Sequence, residues 1–205
     1  MTLDDVTAQI LAQPLTPHRR IVAIAGPPAS GKSTVAEALA KRLTAQGEDT
    51  FVVPMDGYHL DDRLLHLDGT QNRKGAPHTF DADGFVRLIT ALQSVDPVIY
   101  PIFDRNREIA IAGAGRVPAK CTTVIVEGNY LLLQQEPWTR LLDLWSFSIA
   151  LKPPMELLIE RLKARWVEHD KPDAQAWIDT NDVPNITTVL TKSAPADVTW
   201  TETPT

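Results

Sequence analysis

The run Gly26-Pro27-Pro28-Ala29-Ser30-Gly31-Lys32-Ser33 fits the pattern G-x-x-x-x-G-K-[ST]. Glycines at both ends let the backbone curl so that successive N–H groups face one point, an arrangement that suits a phosphate oxygen. Lys32 is then placed to reach the outer two phosphates of a nucleoside triphosphate, and the Ser33 hydroxyl to ligate Mg²⁺. In and beside this run the expected nucleotide contacts are Gly26, Pro27, Ala29, Ser30, Gly31, Lys32, Ser33 and Thr34, with Ser33 also on the metal. Thr34 reads as a helix-facing hydroxyl more readily than as a second metal ligand. A glycine-rich turn that binds nothing is the plain alternative. Against it stand the flanks, a short buried-strand pattern before the run and an amphipathic helix pattern after it.

Transfer of a phosphoryl group to an alcohol also needs carboxylates in two places. One sits at the metal, and one accepts the hydroxyl proton opposite the γ-phosphate. Glu127 follows the apolar run Val124-Ile125-Val126 and is the candidate for the metal side. Asp56 ends the run from Thr50 through Pro54 and Met55 and is the candidate base. The bland readings are a solvated strand-end residue for Glu127 and a turn-forming aspartate before Gly57 for Asp56.

Positioning these groups is the task of an alternating series of strands and helices. Val6, Ile10 and Leu11 predict an N-terminal helix within residues 1–16, ended by Pro14 and Pro17. Residues 21–25, 50–53, 123–126 and 145–151 read as buried strands, and residues 98–103 as a β-rich run. Gly113 and Gly115 predict the turn of a small hairpin. Helices are expected at 35–46, at 85–92 with Asp83 as cap, near Pro137, and from Pro153 through Trp166, resuming after a charged break at 169–173 to about Asn181. A last strand is expected at 198–201. The polar segment 59–83 is longer than an ordinary connection and is expected to be functional or mobile. The five tryptophans sit on apolar patterns and read as core. Alternation of this kind predicts a doubly wound parallel sheet with its ligands beyond the C-terminal ends of the strands, where residues 26–33, Asp56, Phe103, Asp104 and Glu127 all fall.

Several further blocks occur in a recognisable order: Met55-Asp56-Gly57-Tyr58-His59, Arg73-Lys74-Gly75-Ala76-Pro77-His78-Thr79-Phe80-Asp81, Tyr100-Pro101-Ile102-Phe103-Asp104 and Glu127-Gly128. In this the chain resembles the phosphoribulokinase/uridine kinase superfamily over roughly residues 20–195. The Arg-Lys-Gly-x-Pro block looks most like bacterial pantothenate kinases, and the chain as a whole is similar to the short kinases linked to fructose transport systems. The resemblance implies one α/β domain over residues 1–205, a P-loop NTPase three-layer sandwich with a parallel sheet and a mobile lid at about 166–180. It implies Asp56 as general base, Glu127 near Mg²⁺, ATP as donor and a lid arginine. Arg165 matches the lid arginine better than Arg161, four residues earlier on the same face, for which an ion pair within its own helix is the ordinary reading. Asn185 resembles an asparagine that borders the adenine, and it and Arg161 join the expected nucleotide contacts from farther along the chain. The acceptor is expected among Tyr58, His59, Arg73, Lys74, His78, Tyr100 and Arg105. The chain is shorter than typical pantothenate kinases and lacks a long C-terminal acceptor-binding extension, which argues against pantothenate itself. A homodimer is a further expectation.

Composition narrows the partners. With 205 residues, 43% apolar and 22% charged, the chain can bury a core without disulfides, and its single cysteine, Cys121, reads as a small buried residue at a strand entrance. A net charge of −6 gives no basic face for nucleic acid, so a small hydroxyl-bearing acceptor is expected instead. No stretch reaches membrane-spanning length and residues 1–13 lack a signal-peptide pattern, so a cytoplasmic location away from membranes is expected. Three functions compete: a kinase acting on a sugar such as fructose, a nucleoside or pantothenate kinase, and a nucleotide-hydrolysing switch. Asp56 argues against the switch, which has no need of a base there.

Overall fold

The computed structural model of the protein describes residues 1–168 and 172–201. The chain opens with helix α1 (Leu3–Ala12), strand β1 (Arg20–Ala25), helix α2 (Lys32–Ala45) and strand β2 (Thr50–Pro54). Helices α3 (Asp62–Leu67) and α4 (Ala82–Ala91) follow, then strands β3 (Val98–Asp104), β4 (Ile109–Val117), β5 (Thr123–Gly128) and β6 (Phe147–Leu151). Helices α5 (Met155–Glu168), α6 (Ala174–Trp177) and α7 (Val183–Lys192) and strand β7 (Val198–Trp200) complete it. Five strands form one parallel sheet in the order β2-β5-β1-β6-β7.

Period-two alternation divides β1 between two cores, as an extended strand requires. Ile21, Ala23 and Ala25 pack with Phe85, Trp138 and Leu141 on one face, while Val22 and Ile24 pack with Ile10, Leu39 and Leu43 on the other. Helices therefore cover both faces, giving the three-layer α/β sandwich. Each fully buried aliphatic or aromatic side chain contributes about 1.5–3 kcal/mol, which is why the strands read as unbroken apolar runs. A third cluster, Leu158, Leu162, Ile178 and Ile186, joins α5 to α7 and reaches the 26–33 turn through Ala29.

Just before β1, Arg19 is fully buried, and among the described residues no carboxylate pairs with it. Its guanidinium donates to the carbonyl oxygens of Leu92, Val95, Asp96, Pro118 and Cys121 at 3.0–3.3 Å. These include the C-terminal end of α4, whose carbonyls carry partial negative charge.

Three local expectations are corrected, and the β-rich run 98–103 lies outside the parallel sheet. It pairs antiparallel with β4, and its register shifts between Tyr100 and Ile102, where Pro101 supplies no ladder donor. Gly113 and Gly115 lie inside β4, and the hairpin turns at residues 105–108. A Cβ on Gly115 would come within 2.4 Å of the Tyr100 ring, so that glycine serves packing, not turning. Helix α4 is capped by Asp81, which accepts from the Gly84 N–H at 2.7 Å, while Asp83 pairs with Arg140. The helical stretch expected to stop near Asn181 passes through one π-turn, Ile178–Asp182, and continues as α7, the widened turn lying just before Pro184, which lacks the N–H that a regular α-helical ladder would use. Of the charged break, His169, Asp170 and Lys171 lie outside the described residues. Among the described residues no helix is long and apolar enough to cross a membrane.

Candidate active site

At the C-terminal ends of β1, β2 and β5, residues 26–33 wrap the start of α2. Ala29 and Gly31 take positive φ values of 63° and 87°, which turns their N–H groups inward. Gly26 has no room for a side chain, since a Cβ would sit 2.7 Å from Ser30 Oγ and 3.0 Å from Leu151. No side chain caps α2 and no acid lies in its first turn. By contrast, α1 closes its own N-terminus with the reciprocal Thr2–Asp5 capping box. The open N-terminus of α2 is thus available to an anion.

Lys32 is 9% exposed and donates to the Pro27 carbonyl at 3.0 Å. Burial pushes its ammonium pKa down, while the charges of Glu127 and Asp56 oppose that shift. Glu127 is likewise buried, which raises its carboxyl pKa against the pull of Lys32. Ser33 Oγ donates to Glu127 Oε1 at 3.3 Å. Ser30 Oγ is buried without a hydrogen-bond partner. The Ser33–Glu127 oxygen pair, on the cavity wall with Lys32, fits MgATP, because Mg²⁺ takes one or two protein oxygens and completes its shell with phosphates and water.

A cavity of about 950 Å³ extends from this turn to Asp56, His59, Asp62, Lys74, Phe103 and Arg105. Asp56 accepts from Arg105 Nη2 at 2.5 Å. The turn that carries Asp56 is held by Gly57, where a Cβ would fall 2.1 Å from the Pro101 carbonyl oxygen, so β3 crosses directly over it. His59 lies between the rings of Phe80 and Phe103, at centroid distances of 4.0 and 4.7 Å, with Nδ1 2.8 Å from the Asp56 carbonyl oxygen. Burial lowers its pKa and favours the neutral ring. Lys74 meets Asp62 Oδ1 at 2.8 Å and Glu108 Oε2 at 3.3 Å.

The two arginines of α5 take different places. Arg165 lines the cavity beside Trp166, with burial and then nearby Arg105 lowering its pKa. Arg161 donates to the Ala29 carbonyl at 3.2 Å and so backs the phosphate turn. Thr34 also lines the cavity.

Four residues expected at the acceptor stand outside this wall. Tyr58 packs edge-on against Phe85 at 5.3 Å, and burial pushes its hydroxyl up to about 12. Tyr100 is buried and donates to the Val52 carbonyl at 3.2 Å. His78 is exposed. Arg73 donates to Asn185 Oδ1 at 3.2 Å and to the Thr180 carbonyl, bridging to the π-turn. Asn185 does line the cavity, but it sits against Arg73 and Gly75. Asn181 completes the bridge by donating to the Lys74 carbonyl at 2.9 Å, and the Tyr130 hydroxyl donates to the Gly75 carbonyl at 2.5 Å. Trp166, Trp177 and Asp182, none of them anticipated, also line the cavity, with the Trp166 indole N–H donating to Asp182 at 2.7 Å. An apolar stripe gives a tryptophan the same signature whether it faces a core or a cavity, and only an acid near its N–H hints otherwise.

Comparison with known proteins agrees with this geometry. No protein-family model matches the chain. A solved structure from Silicibacter sp. TM1040, named "putative fructose transport system kinase", is 47% identical with a TM-score of 0.94, over 98% of this chain and 99% of that one. "Uncharacterized protein YggC" of Escherichia coli K12 is 33% identical over 91% of this chain and 79% of the relative. A Schizosaccharomyces pombe protein named "Putative uridine kinase C227.14" is 31% identical over 88% of this chain and 82% of its own length. The chain belongs to the P-loop kinases of the uridine kinase and pantothenate kinase family, a family of ATP-dependent small-molecule kinases.

Proposed function

We propose that the protein transfers the γ-phosphoryl group of ATP to a hydroxyl of a small sugar, fructose being the best candidate. The observation that carries the reading is Asp56, a carboxylate in the same cavity as Lys32, Ser33 and Glu127, 2.5 Å from a guanidinium that orients it. In this reading Asp56 accepts the acceptor's proton as its oxygen attacks the phosphorus, opposite the leaving ADP. Backbone N–H groups of the 26–33 turn and Lys32 hold the phosphates, and Arg165 stabilises charge on the group in flight. Ser33 and Glu127 would hold Mg²⁺, which when bound would supply electrostatic neutralisation of the phosphate oxygens. Ring faces at Phe103, Trp166 and Trp177 beside the amides of Gln71, Asn72 and Asn129 suit a sugar, which has both C–H faces and hydroxyls.

The same rings favour a second acceptor, a nucleoside, whose base stacks on an aromatic face. ADP release measured with fructose, other sugars, uridine and pantothenate, against an acceptor-free blank, separates the two. Asp56→Asn should lower acceptor-dependent release by roughly 10²–10⁴-fold with MgATP affinity unchanged. Loss of nucleotide binding in this variant would place Asp56 at the metal instead, and full turnover would remove it from the mechanism.

A further inference from the structure

The cavity wall carries four cations, Lys32, Lys74, Arg105 and Arg165, and five carboxylates, Asp56, Asp62, Glu108, Glu127 and Asp182, among the described residues. Lys32 is tied into the phosphate turn, and Arg165 is assigned above to the transferring group. Lys74 and Arg105 are the two left to greet an acceptor, and both are already matched. Arg105 is on Asp56. Lys74 Nζ donates to the Glu108 carbonyl at 3.2 Å and is ion-paired with two carboxylate oxygens, Asp62 Oδ1 at 2.8 Å and Glu108 Oε2 at 3.3 Å, by charge and proximity and not by aligned hydrogen bonds. Its fourth side is the Phe103 ring, 5.5 Å to the centroid. The Lys74 side chain is only 14% exposed, whereas those of Asp62 and Glu108 are 46% and 60% exposed, so an entering anion meets carboxylates before it meets the ammonium.

We propose that Asp62 and Glu108 are specificity determinants, which by occupying Lys74 confine the acceptor to uncharged hydroxyl compounds and exclude their phosphate esters and acids. The inference rests on the acceptor-kinase reading above and narrows its substrate class. A carboxylate or phosphate placed beside Lys74 must displace a carboxylate already there and accept repulsion from it, which is discrimination by an unfavourable contact and not by a better fit. A neutral polyol meets no such cost, because amides at Gln71, Asn72, Asn106 and Asn129 exchange hydrogen bonds to water for bonds to hydroxyls.

The test measures acceptor-dependent ADP release for matched pairs: fructose against fructose 6-phosphate, glucose against gluconate, and uridine against uridine monophosphate. The wild type should favour the neutral member of whichever pair it uses by roughly 10²-fold or more in kcat/KM. Glu108→Gln and Asp62→Asn, which keep shape and remove charge, should each narrow that ratio by roughly 3–10-fold, and the double variant should narrow it further. MgATP binding reports that each variant is folded. Wild-type preference for an anionic member would overturn this inference and leave the kinase reading intact, and so would a ratio that neither substitution moves. ADP release with no acceptor of either kind would sink the acceptor-kinase reading, and this inference with it.

Discussion

At the nucleotide end of the cavity, the chain offers main-chain N–H groups on a turn with two positive-φ residues, one lysine and an uncapped helix. At the acceptor end it offers side chains from five separate stretches, nearly all paired with one another: Arg105 with Asp56, Lys74 with Asp62 and Glu108, Asn181 with the Lys74 carbonyl. The first end is built by local backbone geometry and is open to its ligand. The second is built by long-range pairing and is closed upon itself until an acceptor competes. Every nucleotide presents the same phosphates, so one rigid solution serves them all, whereas acceptors differ and selection there acts through which pairs can be broken.

Substitutions that strike the two ends unequally break or sharpen this contrast. Lys32→Ala should have the largest effect, lowering kcat by roughly 10³-fold or more because its charge acts on the transition state, while circular dichroism and melting temperature report an intact fold. Near-normal kcat at saturating MgATP would mean that the open helix end alone suffices. Arg165→Ala should follow, with kcat reduced roughly 10–10³-fold and ATP affinity changed less. Arg161→Ala is its companion: because Arg161 backs the Ala29 carbonyl, it should weaken MgATP binding more than kcat. A reversal of that pattern would exchange the two assignments. Asn181→Ala should be the mildest, raising acceptor KM a few-fold through the loosened 73–75 loop with the KM for MgATP unmoved. An equal rise in both constants would show that the ends are not separable.

The same contrast explains what could be read from residues alone. Gly26, Gly31, Lys32 and Ser33 are spaced by the turn they form, and Asp56 and Glu127 stand at the ends of apolar runs, so short-range pattern suffices to find them. The five parallel strands were legible for the same reason. Tyr58 and Tyr100 were not, because a phenol in a functional block carries no mark of which way it points, and here one meets Phe85 and the other a carbonyl of β2. Glu108 and Asp62 lie 46 positions apart and come together only through Lys74, which both of them meet in the folded chain. Helix α7 was not legible because Pro184 ordinarily ends or kinks a helix, and the π-turn that carries the chain through it leaves no mark in the sequence. The tryptophans of α5 and α6 were assigned to the core on periodicity that cannot tell a packed face from a ligand-lined one.

Arg19 has a mechanical consequence. Its guanidinium, itself fully buried, ties the entrance of β1 to the end of α4 and to the 118–121 loop through five carbonyls. Any sliding of α4 against β1 would strand a desolvated cation, so the floor of the molecule behaves as a clamped base plate. The strain of each catalytic cycle then has only the opposite rim to move, where α5 to α7 and the β3–β4 hairpin hang over the sheet, and amide protons should exchange slowly at the plate and quickly at the rim.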